Sequence, residues 1–157
     1  MSETHIDANI EKVLAENGLV MTSTSGVSMY PMLRHRKDMV VIETVKRELK
    51  SNDVPLYRLP SGKLVLHRIL KVKNNEYIIR GDNLLMKEHV KPERIIGVLK
   101  EFYRNGKHVD CATSRGYKLY IFYIRHSYYL RYLWKKIIRP TLGKIKRFII
   151  EPFCSGQ

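Results

Sequence analysis

Residues 63–83 read KLVLHRILKVKNNEYIIRGDN, and the rest of the chain is best read outward from them. Leu64, Leu66, Leu70 and Val72 alternate with Val65, His67 and Ile69, a two-residue period that predicts a strand with His67 projecting from its middle rather than from a turn. Asn74 and Asn75 break the run, EYIIR resumes it, and Gly81-Asp82-Asn83 breaks it again. Short β-rich runs divided by turn residues are the grammar of an antiparallel sheet.

The same grammar extends on both sides, through DMVVIETV, VPLYRLPSG and RIIGVLKEFYRNG, so residues 21–110 are expected to form a compact antiparallel β domain. Residues 1–20 precede it: Ile6, Ile10, Val13 and Leu14 fall at helical spacing and Gly18 stands where a helix would stop, which predicts a short amphipathic helix. Residues 111–157 form a basic aromatic tail. YKLYIFYI fits strand or helix, whereas beyond Ser127 a helix is expected, with Leu119, Tyr123, Leu130, Leu133, Trp134 and Ile137 on one side and Arg125, Arg131, Lys135 and Arg139 roughly opposite. Pro140 interrupts that pattern before KIKRFII repeats it.

At 157 residues the chain has the length of one domain with appendages. Its formal charge of +14 favours anionic partners, and Tyr117 to Phe153 hold nine Lys or Arg against the single acid Glu151. A basic, aromatic amphipathic tail is suited to an anionic membrane surface; nucleic acid is disfavoured because no binding module is recognisable. Cys111 and Cys154 lie far apart, which argues against a disulfide framework or a metal site and for a reducing compartment. The first twenty residues lack the basic and apolar regions of a secretory signal, and no run of apolar residues is long enough to span a bilayer. A cytoplasmic protein, either soluble or peripheral at the inner membrane face, is the expectation.

Chemistry is sought first in TSTSGVSMYPML, residues 22–33. Ser28 sits on a turn constrained by Gly26 and Pro31, an ordinary place for a serine, and its hydroxyl needs a base before it can attack anything. His67 is a candidate base on a rigid element, although His5, His35, His89, His108 and His126 are alternatives by composition. Arg80-Gly81-Asp82 spells an adhesion tripeptide by chance, and RHRK at 34–37 reads as a solvated turn in preference to a guide for an acidic peptide.

SGVSMYPML, DMVVIETV, LVLHRILKV, YIIRGDN and IIGVLKEF, in that order, resemble the successive boxes of the type I signal peptidases and the related SOS-repressor autoproteases. The resemblance covers about residues 21–104 and points to the Ser-His variant of that superfamily, since His67-Arg68 stands where many members have a Lys-Arg pair. It implies coiled antiparallel β-sheets and a serine endopeptidase that cuts a leader or signal-like peptide, with Ser28 as nucleophile, His67 as general base, and Gly81 and Asp82 walling the site. No metal or cofactor is implied. The Ser-His enzymes carry an orienting aspartate six residues beyond the GD aspartate; here that position is Glu88, so Glu88 or Asp82 is the expected carboxylate. A hydroxyl residue usually stands two before the nucleophile to complete the oxyanion hole; Gly26 is there instead, which leaves the Ser28 amide and Ser25 as candidate donors. The N-terminal anchor common in signal peptidases has no counterpart in this sequence.

Two other functions compete. The same fold can hold peptides without cutting them, a reading that the Gly26 and Glu88 departures favour. A self-cleaving regulator ranks lower, because about twenty residues before the first box are too few for a helix-turn-helix. The sequence is silent on oligomeric state.

Overall fold

The computed structural model describes residues 5–6 and 10–134, and the chain is mainly β. Ten strands are described: β1 (His5–Ile6), β2 (Leu19–Ser23), β3 (Met39–Glu43), β4 (Pro55–Arg58), β5 (Leu64–Leu66), β6 (Arg68–Lys73), β7 (Glu76–Arg80), β8 (Glu88–Val90), β9 (Ile95–Arg104) and β10 (Lys107–Asp110). The helices are α1 (Ile10–Asn17), α2 (Arg115–His126) and α3 (Tyr128–Leu133). The chain divides into a unit ending at Lys118 and a second beginning at Leu119.

In the first unit a curled antiparallel sheet forms a half-barrel in the order β1-β5-β4-β9-β3-β2, with β10 paired to β9. β9 is its spine, bonded to β3 on one side and β4 on the other, and bulges between Val41 and Ile42 and between Leu56 and Tyr57 supply local bending. A second, three-stranded sheet runs β6-β7-β8. Leu49, Tyr57, Val65, Ile69, Ile79, Val90 and Val98 form one buried cluster drawn from both sheets.

One continuous strand through His67 was the expectation, and the structure corrects it. β5 pairs with β4 in the large sheet, β6 pairs with β7 in the small one, and His67 is the single residue between them. The alternation was a poor guide because Leu64, Val65 and Leu66 are all buried, so neither face of β5 is polar. The helix expected from Ile6 begins instead at Ile10, because His5 and Ile6 pair as β1 against Val65 and Leu64. α1 ends where expected, with Gly18 at φ +70° donating its N–H to the Leu14 carbonyl at 2.9 Å.

YKLYIFYI is helical, as most of α2. α3 follows immediately after Ser127, so the helical segment expected there begins at Tyr128. Ile137, Lys135, Arg139, Pro140, KIKRFII and Cys154 lie outside the described residues. Among the described residues no helix is long and apolar enough to cross a membrane.

Candidate active site

The loop between β2 and β3 carries Ser28. Val27 and Met29 open tight turns on either side of Ser28, with the Tyr30 N–H on the Val27 carbonyl at 3.1 Å and the Leu33 N–H on the Met29 carbonyl at 3.0 Å. Met29, Met32 and Leu33 are buried and anchor the loop from below. Gly26 has φ +105°, a conformation that side chains disfavour, which explains why a hydroxyl residue does not occupy this position. Its N–H is bound to His35 Nδ1 at 2.8 Å. Arg34 forks onto the buried Asp38, with Nη2 to Oδ1 at 2.6 Å, and reaches Asn105 Oδ1 at 2.7 Å. Two residues of the basic run RHRK therefore brace the serine loop, while Arg36 and Lys37 are exposed.

The GDN turn holds that loop from the other side. The Asn83 N–H donates to the Ser28 carbonyl at 2.7 Å, and the Asn83 side-chain amide donates to the Val27 carbonyl at 3.0 Å. A Cβ at Gly81 would lie 2.7 Å from the Ser28 carbonyl oxygen and 3.1 Å from His67 Cδ2. Gly81 is thus the point against which the serine loop and the histidine ring both close, and only a residue without a side chain lets them.

His67 is buried, and its two ring nitrogens have unlike surroundings. Nδ1 lies 2.8 Å from the Tyr57 hydroxyl and 3.2 Å from Glu88 Oε1, and the Tyr57 hydroxyl donates to Glu88 Oε2 at 2.7 Å. Hydrogen bonds from His67 and Tyr57 hold the Glu88 carboxyl below its ordinary value against the opposing effect of partial burial, so it is an anionic acceptor. Tyr57 has one proton to give and gives it to that carboxylate, so its oxygen accepts from His67. This network fixes the proton on Nδ1 and leaves a lone pair on Nε2. Nε2 is buried and has no hydrogen-bond partner, and hence no hydrogen bond to Ser28 Oγ in this structure.

Asp82 is committed elsewhere. Its Oδ1 and Oδ2 accept from Arg68 Nε and Nη2 at 2.9 and 2.7 Å, and Arg68 Nη1 reaches the Tyr117 hydroxyl of α2 at 2.9 Å and the Asn52 carbonyl at 3.1 Å. Burial opposes the Arg68 charge, but Asp82 and Tyr117 more than offset it, and the guanidinium is held well above its usual range. Burial pushes the Cys111 thiol up to about 12, which removes it as a nucleophile at neutral pH.

The structure therefore brings Ser28, His67, Gly81 and Glu88 together and assigns Asp82 to Arg68. Ser25 is half-buried beside Gly26. His89 faces Glu76 and His108 faces Glu101 on the surface, away from this network. Among the described residues no group of His, Cys, Asp and Glu is placed to hold a metal ion. Sequence reasoning missed Tyr57, and it offered His35 only as an alternative base and not as the acceptor for the Gly26 N–H: a tyrosine in a strand and a histidine in a basic turn carry no local mark of what they bond. No protein-family model matches the chain, and no curated protein matches it in sequence.

Proposed function

We propose that the chain is a serine endopeptidase of the signal-peptidase-like class, with Ser28 as nucleophile and His67 as general base, acting on a leader or signal-like peptide. The observation that carries this reading is the held histidine: Nδ1 is engaged by Tyr57 and Glu88, and the basic Nε2 is left without a partner on a wall shared with Ser28. In the reaction His67 Nε2 takes the Ser28 proton as Oγ attacks the peptide carbonyl, then delivers it to the departing amine. Water releases the acyl group by the reverse proton path. The imidazolium that forms is stabilised by Glu88, directly and through Tyr57. With the Gly26 amide taken by His35, the oxyanion falls to the Ser28 amide and the Ser25 hydroxyl. Cys111, a free thiol, suits a reducing compartment, and the reaction is assigned to the cytosol.

Ser28 and His67 are both 0% exposed, so a substrate carbonyl reaches them only through a local opening. That burial favours a second reading, a pseudo-peptidase that holds peptides without cutting them. Incubating the purified chain with a peptide library and reading new termini by mass spectrometry separates the two. The peptidase reading expects a defined cleavage motif lost in both Ser28→Ala and His67→Ala. Binding of library peptides without new termini would support the pseudo-peptidase. Self-shortening of the chain at one bond, absent in Ser28→Ala, would instead establish a self-cleaving regulator.

A further inference from the structure

α2 and α3 present their apolar residues to solvent. On α2, Tyr117 and Ile124, one heptad apart, are buried and share one side of the helix. An ordinary surface helix is polar on the rest of its circumference. Here Leu119, Phe122, Tyr123 and Leu130 are between 56% and 72% exposed, and Leu133 and Trp134 extend the row at the same helical phase. The path is continuous through the junction, since the Ser127 N–H bonds to the Tyr123 carbonyl at 2.9 Å and the Arg131 N–H to the Ser127 carbonyl at 3.0 Å. An exposed apolar stripe this long marks a surface meant to be covered.

Charge selects what covers it. Lys118, Arg125 and Arg131 punctuate the two helices, and Tyr117 to Phe153 hold nine basic residues against one acid. A second copy with a formal charge of +14 is repelled at this face. A lipid interface provides an apolar layer and anionic headgroups at adjacent depths, which is what a row of Leu, Phe, Tyr and Trp beside Lys and Arg requires. No described helix can cross the bilayer, so this one lies in its plane. We infer that the α2–α3 stripe is an in-plane anchor that docks the protein on an anionic lipid bilayer. The inference stands independently of the peptidase reading.

Trp134 is the only tryptophan of the chain and lies at the end of the stripe, so it reports directly on the contact. The full chain is mixed with vesicles of phosphatidylcholine and phosphatidylglycerol at a 3:1 ratio, and separately with pure phosphatidylcholine. Expected are flotation with the anionic vesicles, a blue shift of Trp134 emission and its quenching by brominated acyl chains. Removing each of Arg125 and Arg131 weakens partitioning about fivefold. Leu119→Ser with Leu130→Ser, at exposed positions that leave folding intact, weakens it about tenfold or more. Absence of flotation overturns the inference, as does equal binding to uncharged vesicles or flotation without any change in Trp134. A dimer in gel filtration that those two serine substitutions dissolve, together with no vesicle binding, would make the stripe an interface between copies and likewise overturn it.

Discussion

Tyr57 belongs to two structures at once: its ring is part of the buried cluster that joins the two sheets, and its hydroxyl is the bridge between His67 and Glu88. Tyr57→Phe keeps the packing and removes the bridge. If the site is a peptidase, this substitution lowers kcat by about 10- to 100-fold with KM little changed, because the imidazole loses a partner that fixes its tautomer. Steady-state cleavage of the best library peptide checks it. Glu88 gives a second expectation that needs no substrate. Its carboxyl is held below the ordinary value of 4.5, so the folded state binds its proton less readily than the unfolded one. The stabilisation is present above that value and is lost as pH falls through the depressed folded value. Urea midpoints measured from pH 6 down to pH 3 fall more steeply for the parent chain than for Glu88→Gln. Ser28 and His67 were singled out by a resemblance in the order of the boxes, whereas Asp82 and Glu88 stayed alternatives for the carboxylate until Arg68 was seen to take both oxygens of Asp82.

At the scale of elements, β7 and the turn that follows it do the positioning. The register Arg68↔Arg80 between β6 and β7 places Asp82 two residues beyond a strand end, where the Arg68 fork meets it. Asp82→Asn leaves a buried guanidinium without its charge partner and should cost about 3–5 kcal/mol in urea unfolding, far more than an exposed pair would. Gly81→Ala acts one residue earlier: the added methyl meets backbone at 2.7 Å, the serine loop must move, and a loss of about 1–3 kcal/mol accompanies loss of any cleavage. The existence of these strands was plain in the two-residue period and in Asn74-Asn75, both of which take positive φ. The change of sheet at His67 was not, because a strand buried on both faces no longer shows which side is which. The helical state of YKLYIFYI was hidden for the opposite reason: aromatic residues on both the buried and the exposed faces blur its period.

For the molecule as a whole, the mainly β class with a helical, basic C-terminal part followed from composition and punctuation, because these are summed over many residues and survive single errors. The closing of the Ser28 loop and the His67 ring on Gly81 is a long-range event that turn chemistry alone does not encode. The pairing of β1 with β5 has a kinetic consequence. An extended peptide that adds to the outer edge of β5, the strand leading into His67, finds the chain's own residues 5–6 already bonded there. That tethered segment competes at an effective concentration in the millimolar range, so a free peptide gains the edge only by strand exchange. Deleting residues 1–9 should tighten the apparent Kd for short peptides in calorimetric titration; an unchanged Kd would place peptide docking away from this edge. The N-terminus would then set how scarce a substrate the site can notice.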